Sequence, residues 1–300
     1  MYREFFQLES IPFTNNPDPR FLCMLPHTKE ALACLEYGVA ARKGFMVLVG
    51  EVGTGKTTLL RSALNSMRGS AVHTSFVFNP RLEVLEFLEF MMADFGLVPV
   101  TRSKSSMLMQ LNRWLVERFA AGDTCVLVVD EAQSLSSELL EEIRLLTNLE
   151  TDTEKLLQII LSGQPELETK LREPGLRQLR QRISLWCRTQ AISSEQTQEY
   201  ITQRLIVAGA KQTSVFLPDA VTAIYRYSRG IPRLINLLCE HALILGYVEH
   251  LKQIPAAVIF AVAVDLDLEP LRNHPPVVPG EGPVKEGNRD TEPVTEKRLR

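Results

Sequence analysis

Four residues in one short stretch have the types and the spacing to hold a phosphate. In GEVGTGKTT, residues 50–58, the residues Gly50, Gly55, Lys56 and Thr57 match GxxxxGK followed by Ser or Thr at every fixed position. Glycines let backbone N–H groups converge on phosphate oxygens, and a helix starting at the lysine presents its positive end to them. Lys56 would reach the outer phosphates of a nucleotide and the Thr57 hydroxyl would bind Mg²⁺. Glu51, Val52, Gly53, Thr54 and Thr58 fall in the same cradle. From ordinary residue frequencies, a chance match in a chain of 300 residues is on the order of one in a hundred.

A second stretch, CVLVVDEAQ, ends a run of apolar residues on two carboxylates, Asp130 and Glu131. Alone, these would be read as caps of the following helix. Downstream of an intact phosphate loop they take a different reading. A buried strand delivers Asp130 to the carboxyl edge of a sheet, where it would hold Mg²⁺ directly or through water. Glu131 would orient or deprotonate a water attacking the terminal phosphate. Ser162 and Gln164 in ILSGQ lie at the tip of the next strand and suit a sensor of that phosphate and water, or else form a polar strand exit. No NKxD motif occurs and Asp130 opens no DxxG turn, which excludes a GTPase switch. ILSGQ lacks a glycine of the transporter signature LSGGQ and follows the Asp-Glu strand instead of preceding it, so that likeness is accidental.

These residues need a parallel sheet to position them. Apolar runs at 45–49, 73–78, 125–129, 156–161 and 183–187 predict five strands, and the helical stretches between them predict helices on both faces. The expected fold class is an α/β phosphate-loop nucleotidase with a five-stranded parallel sheet flanked by helices, a small all-helical lid domain and a disordered C-terminal tail. Residues 1–44 form an aromatic, proline-interrupted arm and a helix from Thr28, belonging with the core at 45–190. From 191 to 268 the strand signals stop. Ser193 with Gln196 reads as a capping box, Pro218 and Pro232 as helix starts, and Gly230 as a helix end. Residues 269–300, proline-rich and without an aromatic side chain, are expected to be disordered.

Bulk properties narrow the setting. A net charge of −3 gives no general attraction to nucleic acid or anionic membrane. Five scattered cysteines with no CxxC pair fit reduced thiols better than disulfides or zinc, and the five histidines show no ligand spacing. The charged N-terminus MYREFFQLE has no signal-peptide core, and IPAAVIFAVAV at 254–264 is too short to span a bilayer. A cytoplasmic protein without direct membrane insertion is expected.

With loop, Asp-Glu pair and helical second domain together, the chain resembles the AAA+ ATPases. More narrowly it is similar to the ExeA or GspA type of secretion ATPase, including relatives associated with exopolysaccharide and exosortase genes. The stretches that carry this are MYREFFQLESIPFTNNPDPRFL, GFMVLVGEVGTGKTT, VLVVDEAQSL, LSGQPEL, LRQRI and GIPRLIN, within residues 1–268. The resemblance implies ATP and Mg²⁺ as ligands, ATP hydrolysis, a sheet order of 5-1-4-3-2 and a homo-oligomer. It also implies Gln164 as first sensor, Arg182 as an arginine finger, Arg233 as second sensor on the lid, and PDPRFL beside the adenine pocket. The longer ExeA-type proteins continue into a membrane segment and a peptidoglycan-binding region where this sequence has a polar tail. The link to the envelope is therefore expected through an inner-membrane or envelope assembly partner.

The two arginines also have a physical reading. Arg182 lies in a dense run, Arg172, Arg177, Arg180, Arg182 and Arg188, which equally suits a solvated or nucleic-acid-facing surface; Arg180 is the alternative finger. Arg233 follows Pro232 in a helix's first turn, where the dipole disfavours a cation, so a ligand such as a phosphate would explain it. Two function classes stay open: an ATPase driving assembly of a secretion, pilus or polysaccharide-export system, and a DNA-associated ATPase of the transposition-regulator type. The N-terminal stretch and acidic balance favour the first.

Overall fold

The computed structural model describes residues 1–67, 72–78 and 81–271, and Met1–Pro270 form one compact unit. The tail expected to be disordered lies, from residue 272 on, outside the described residues.

A short α1 (Tyr2–Phe5) packs on the later helices, and the sheet half follows with α2 (Pro26–Ala40), β1 (Phe45–Val49), α3 (Lys56–Ser66), β2 (Val72–Val77), α4 (Val84–Asp94), α5 (Lys104–Ala120), β3 (Thr124–Val129), α6 (Ser137–Leu146), β4 (Leu157–Gly163), α7 (Pro165–Leu171), α8 (Arg177–Arg180) and β5 (Leu185–Arg188). Four helices follow: α9 (Ser194–Val207), α10 (Pro218–Ser228), α11 (Pro232–Val248) and α12 (Ala256–Asp265).

The strands run parallel in the order β2-β3-β4-β1-β5, the order that the sequence resemblance implied, read from the other edge. The central strands read as unbroken apolar runs because side chains of alternate residues are buried on opposite faces. Phe45, Val47 and Val49 join Leu127, Val129, Ile159 and Leu161 in a cluster against α4 to α7. Met46 and Leu48 join Val126, Val128 and Ile160 in a second cluster against α2 and α3. Each fully buried aliphatic side chain contributes about 1.5–3 kcal/mol, so this two-faced burial fixes the strand register that places the carboxyl edge.

Only β1 keeps the bounds read from the sequence; most other strand ends shift by one residue, and two shift by two. β4 runs two residues further, through Ser162 and Gly163, because the Ser162 hydroxyl is satisfied inside the sheet by Asp130. β5 begins two residues later, at Leu185, after Ser184 N–H has already bonded the Phe45 carbonyl at 2.8 Å.

A third apolar cluster lies among α9–α12 and takes in the aromatic arm: Phe6, Phe13 and Phe21 pack with Ile201, Leu238 and Ile259. Helix starts follow local chemistry. Ser193 and Gln196 form a complete capping box, while Pro218 and Pro232 open α10 and α11. Gly230 ends the α10 turn at φ +72°, and a Cβ there would lie 1.9 Å from the Ile192 carbonyl oxygen. The arm is held to α9 by Arg204, a buried cation that donates to the carbonyls of Pro12 (2.6 Å) and Thr14 (3.1 Å) and to Tyr200 Oη (2.9 Å). Its guanidinium also lies over the Phe21 ring, 4.7 Å from the centroid.

Among the described residues, no helix is long and apolar enough to cross a membrane. All five cysteines are free thiols.

Candidate functional site

β1 ends at Val49, and the chain turns through Gly50–Gly55 into α3, whose first residue is Lys56. Gly53 and Gly55 have φ of +79° and +94°, a region that residues with a Cβ rarely occupy. Gly50 is glycine for want of space, since a Cβ would lie 1.9 Å from Thr189 Oγ1. Thr189 in turn hydrogen-bonds the Thr54 hydroxyl at 2.7 Å, so the residue that follows β5 braces the loop.

Lys56 is buried at 6% exposure, and its ammonium donates to the carbonyl oxygens of Gly50 (2.7 Å) and Glu51 (3.0 Å). Burial lowers its pKa below the usual value, while the charges of Glu131, Asp130, Glu51 and Glu166 act in the opposite sense. A buried cation whose contacts are neutral carbonyls suits a phosphate, which brings the counter-charge those contacts lack.

Asp130 follows β3 directly, and its N–H continues the β2–β3 ladder to Val77 O at 3.0 Å. Its carboxylate gathers three elements. Thr57 Oγ1 donates to Oδ2 at 2.8 Å, Ser162 Oγ donates to Oδ1 at 2.7 Å, and Glu131 N–H donates to Oδ1 at 3.0 Å. Ser162 therefore buttresses Asp130 from β4, deep in the sheet. Thr57 and Asp130 present hard oxygens side by side, the donor type that could hold a Mg²⁺ ion. Among the described residues no group of three or more His, Cys, Asp or Glu could hold a metal ion.

Glu131 has left-handed backbone, φ +52° and ψ +35°, and a 3₁₀ turn over Ala132–Ser134 follows it. Such a conformation in a non-glycine residue is sustained only by its surroundings. The exposed carboxylate receives two amide donors on Oε2, Gln133 Nε2 at 2.6 Å and Gln164 Nε2 at 3.1 Å. Gln164 caps the start of α7, and its N–H donates to Gln133 Oε1 at 3.1 Å.

A cavity of about 370 Å³ runs from this loop to the arm. Its loop end includes Lys56, Thr57, Glu131 and Arg233; Asn15, Phe21, Tyr200 and Asn236 line it further off. Pro17, Asp18 and Leu22 border it too, which brings part of PDPRFL to the same cavity as the loop. Arg233 is hung on the loop by its own backbone: its N–H donates to Gly53 O at 3.1 Å, and a Cβ at Gly53 would lie 2.6 Å from Arg233 Cβ.

Arg182 and Arg180 do not join this site. β5 starts beside Met46 near the amino end of β1, and Arg182 precedes that start by three residues. Lys155 first, and Arg182 more weakly, hold the Glu150 carboxyl below its usual pKa; Glu150 precedes β4, at the sheet edge opposite the phosphate loop. Both arginines are exposed.

Gln133, Thr189, Tyr200, Arg204 and Asn236 were not legible as site residues. Tyr200 and Arg204 did leave a signal, polar side chains four residues apart among Ile201 and Leu205 on the buried face of α9.

Residues 40–171 match a family model described as an AAA domain. Over 248 residues the chain is 44% identical to general secretion pathway protein A of Aeromonas hydrophila, an alignment covering 82% of this chain and 45% of that protein. The chain thus spans about half the length of the curated relative it matches. Among solved structures, the ORC2 protein of Aeropyrum pernix superposes with a TM-score of 0.65 at 18% identity, covering 86% of this chain and 72% of that one. Cdc6p of Pyrobaculum aerophilum gives 0.66 at 15% identity, covering 85% and 70%. At such identities these two show the fold alone.

Proposed function

Since the chain is an AAA-domain relative of general secretion pathway protein A, with the sheet and phosphate loop of a P-loop nucleoside triphosphatase, we propose that it binds and hydrolyses Mg·ATP to drive or regulate assembly of a bacterial envelope secretion, pilus or exopolysaccharide-export system. The observation that carries the ATPase reading is the convergence of Lys56, Thr57, Asp130 and Glu131 at one carboxyl edge, beside the cavity that reaches the arm.

In this reading the loop N–H groups of residues 50–58 and Lys56 bind the phosphates, and Thr57 with Asp130 would hold Mg²⁺. That ion would supply neutralisation of charge on the phosphate oxygens. Glu131 orients the attacking water and takes its proton at the carboxylate, with Gln164 sensing the terminal phosphate beside it. Arg233 brings a lid cation to the same phosphate. Arg182 faces away from its own loop and would complete the site of a neighbouring protomer in a homo-oligomer. The protein works in the cytoplasm, reaching the inner membrane through a partner.

Calorimetry with Mg·ATP tests the core of this reading. Lys56→Ala removes the buried cation and is expected to weaken binding by about 100-fold or more, the scale of a charge-assisted contact. Unchanged affinity would refute the assignment.

One observation favours a DNA-associated ATPase instead. Arg177, Arg180 and Arg182 are exposed and fall within six residues of one another. Duplex binding by these side chains would fall steeply with added salt.

A further inference from the structure

Gln133 lies two residues beyond Glu131, on the 3₁₀ turn that the left-handed Glu131 backbone makes possible. Its side-chain amide has two different neighbours. Nε2 donates to Glu131 Oε2 at 2.6 Å, and Oε1 accepts the Gln164 N–H at 3.1 Å. Only one orientation of the amide satisfies both, because a carboxylate needs a donor and an N–H needs an acceptor. Space is kept for it in β4: a Cβ at Gly163 would lie 2.8 Å from Gln133 Oε1. The turn is braced from α7 as well, where Lys170 Nζ donates to the carbonyls of Gln133 and Leu135.

We propose that Gln133 is a positioning residue: its amide aims the Glu131 carboxylate and ties that aim to the backbone of Gln164. The inference rests on the reading of Glu131 as the carboxylate that activates water. Gln164 reaches the same oxygen from β4's end, at 3.1 Å. Without Gln133 the exposed carboxylate would keep only the longer Gln164 contact, and misplacing a reacting group by about 1 Å costs on the order of 100-fold in rate.

The two halves of the amide can be separated. Gln133→Glu keeps an acceptor for the Gln164 N–H and loses the donor to Glu131. Steady-state ATP hydrolysis, with melting temperature as a control, is expected to show kcat down about 10- to 100-fold and KM unchanged within about threefold. Combined with Glu131→Gln, the same change is expected to add little, since both act through one group. Gln133→Met, which removes the donor without adding charge, is expected to lose turnover to a similar degree. If folded Gln133→Glu and Gln133→Met proteins hydrolyse ATP normally while Glu131→Gln does not, the inference falls and the Glu131 reading stands. If Glu131→Gln itself turns over normally, both fall.

Discussion

Thr57 Oγ1 and Asp130 Oδ2 stand 2.8 Å apart, so the first turn of α3 and the end of β3 meet at one pair of oxygens. The pair unites two stretches of sequence 73 residues apart. Asp130→Asn keeps a hydrogen-bonding side chain there but removes the charge that would hold Mg²⁺. The expected outcome is ATP binding that persists in chelator but loses at least about tenfold of its Mg²⁺-dependent gain. Titrations with and without Mg²⁺ measure this, and an undiminished gain would remove Asp130 from the metal's surroundings.

Lys56 gives a pH dependence with a definite sign. Burial holds its pKa below the usual 10.5, and a bound triphosphate would favour the charged form and raise it. Between the two values the complex binds more protons than the free protein. Nucleotide binding should therefore take up protons at alkaline pH, and affinity should fall as pH rises through that window. Calorimetry in buffers of different protonation enthalpy reads the uptake directly; net proton release would contradict the placement of Lys56 on phosphate.

Glu131→Gln retains hydrogen-bonding capacity but cannot take a proton at physiological pH. Nucleotide affinity is expected to survive while turnover drops by roughly 10²- to 10⁴-fold. Normal hydrolysis in that variant would make Glu131 a turn residue and place the base elsewhere.

Arg182, at the far edge of the sheet from its own loop, leads to a mixing experiment. Glu131→Gln offers a finger without a base, and Arg182→Ala a base without a finger. Each alone is expected to be nearly inactive, because a finger supplied in trans is worth roughly 10³ to 10⁵ in turnover. A mixture should recover part of the activity, and wild-type specific activity should rise with protein concentration. A dead mixture of variants that still co-assemble would shift attention to Arg180.

The parts legible from sequence were those whose chemistry is local. Five apolar runs and a glycine-lysine spacing are enough to place a parallel sheet and a loop at its carboxyl edge, since the three central runs, in β1, β3 and β4, are buried on both faces. The less legible parts depend on distant or conformational facts. Ser162 reads as a phosphate sensor until the register of β3 beside β4 sets its hydroxyl on Asp130. Gln133 gains its place from a left-handed residue that no spacing rule announces. Arg204 answers to carbonyls some 190 residues earlier in the chain.

That last attachment bears on where this fold can be cut. A fragment designed around the phosphate loop would naturally start near Lys43, just ahead of β1. It would discard Pro12 and Thr14, leaving the Arg204 guanidinium with the Tyr200 hydroxyl and none of the backbone carbonyls it bonds, and a buried charge stripped of acceptors costs several kcal/mol. It would also uncover the apolar seat of Phe6, Phe13 and Phe21 among α9–α12. The smallest piece that keeps Arg204 bonded and the α9–α12 cluster covered therefore has to begin upstream of Phe6, more than forty residues before the first glycine of the loop at Gly50.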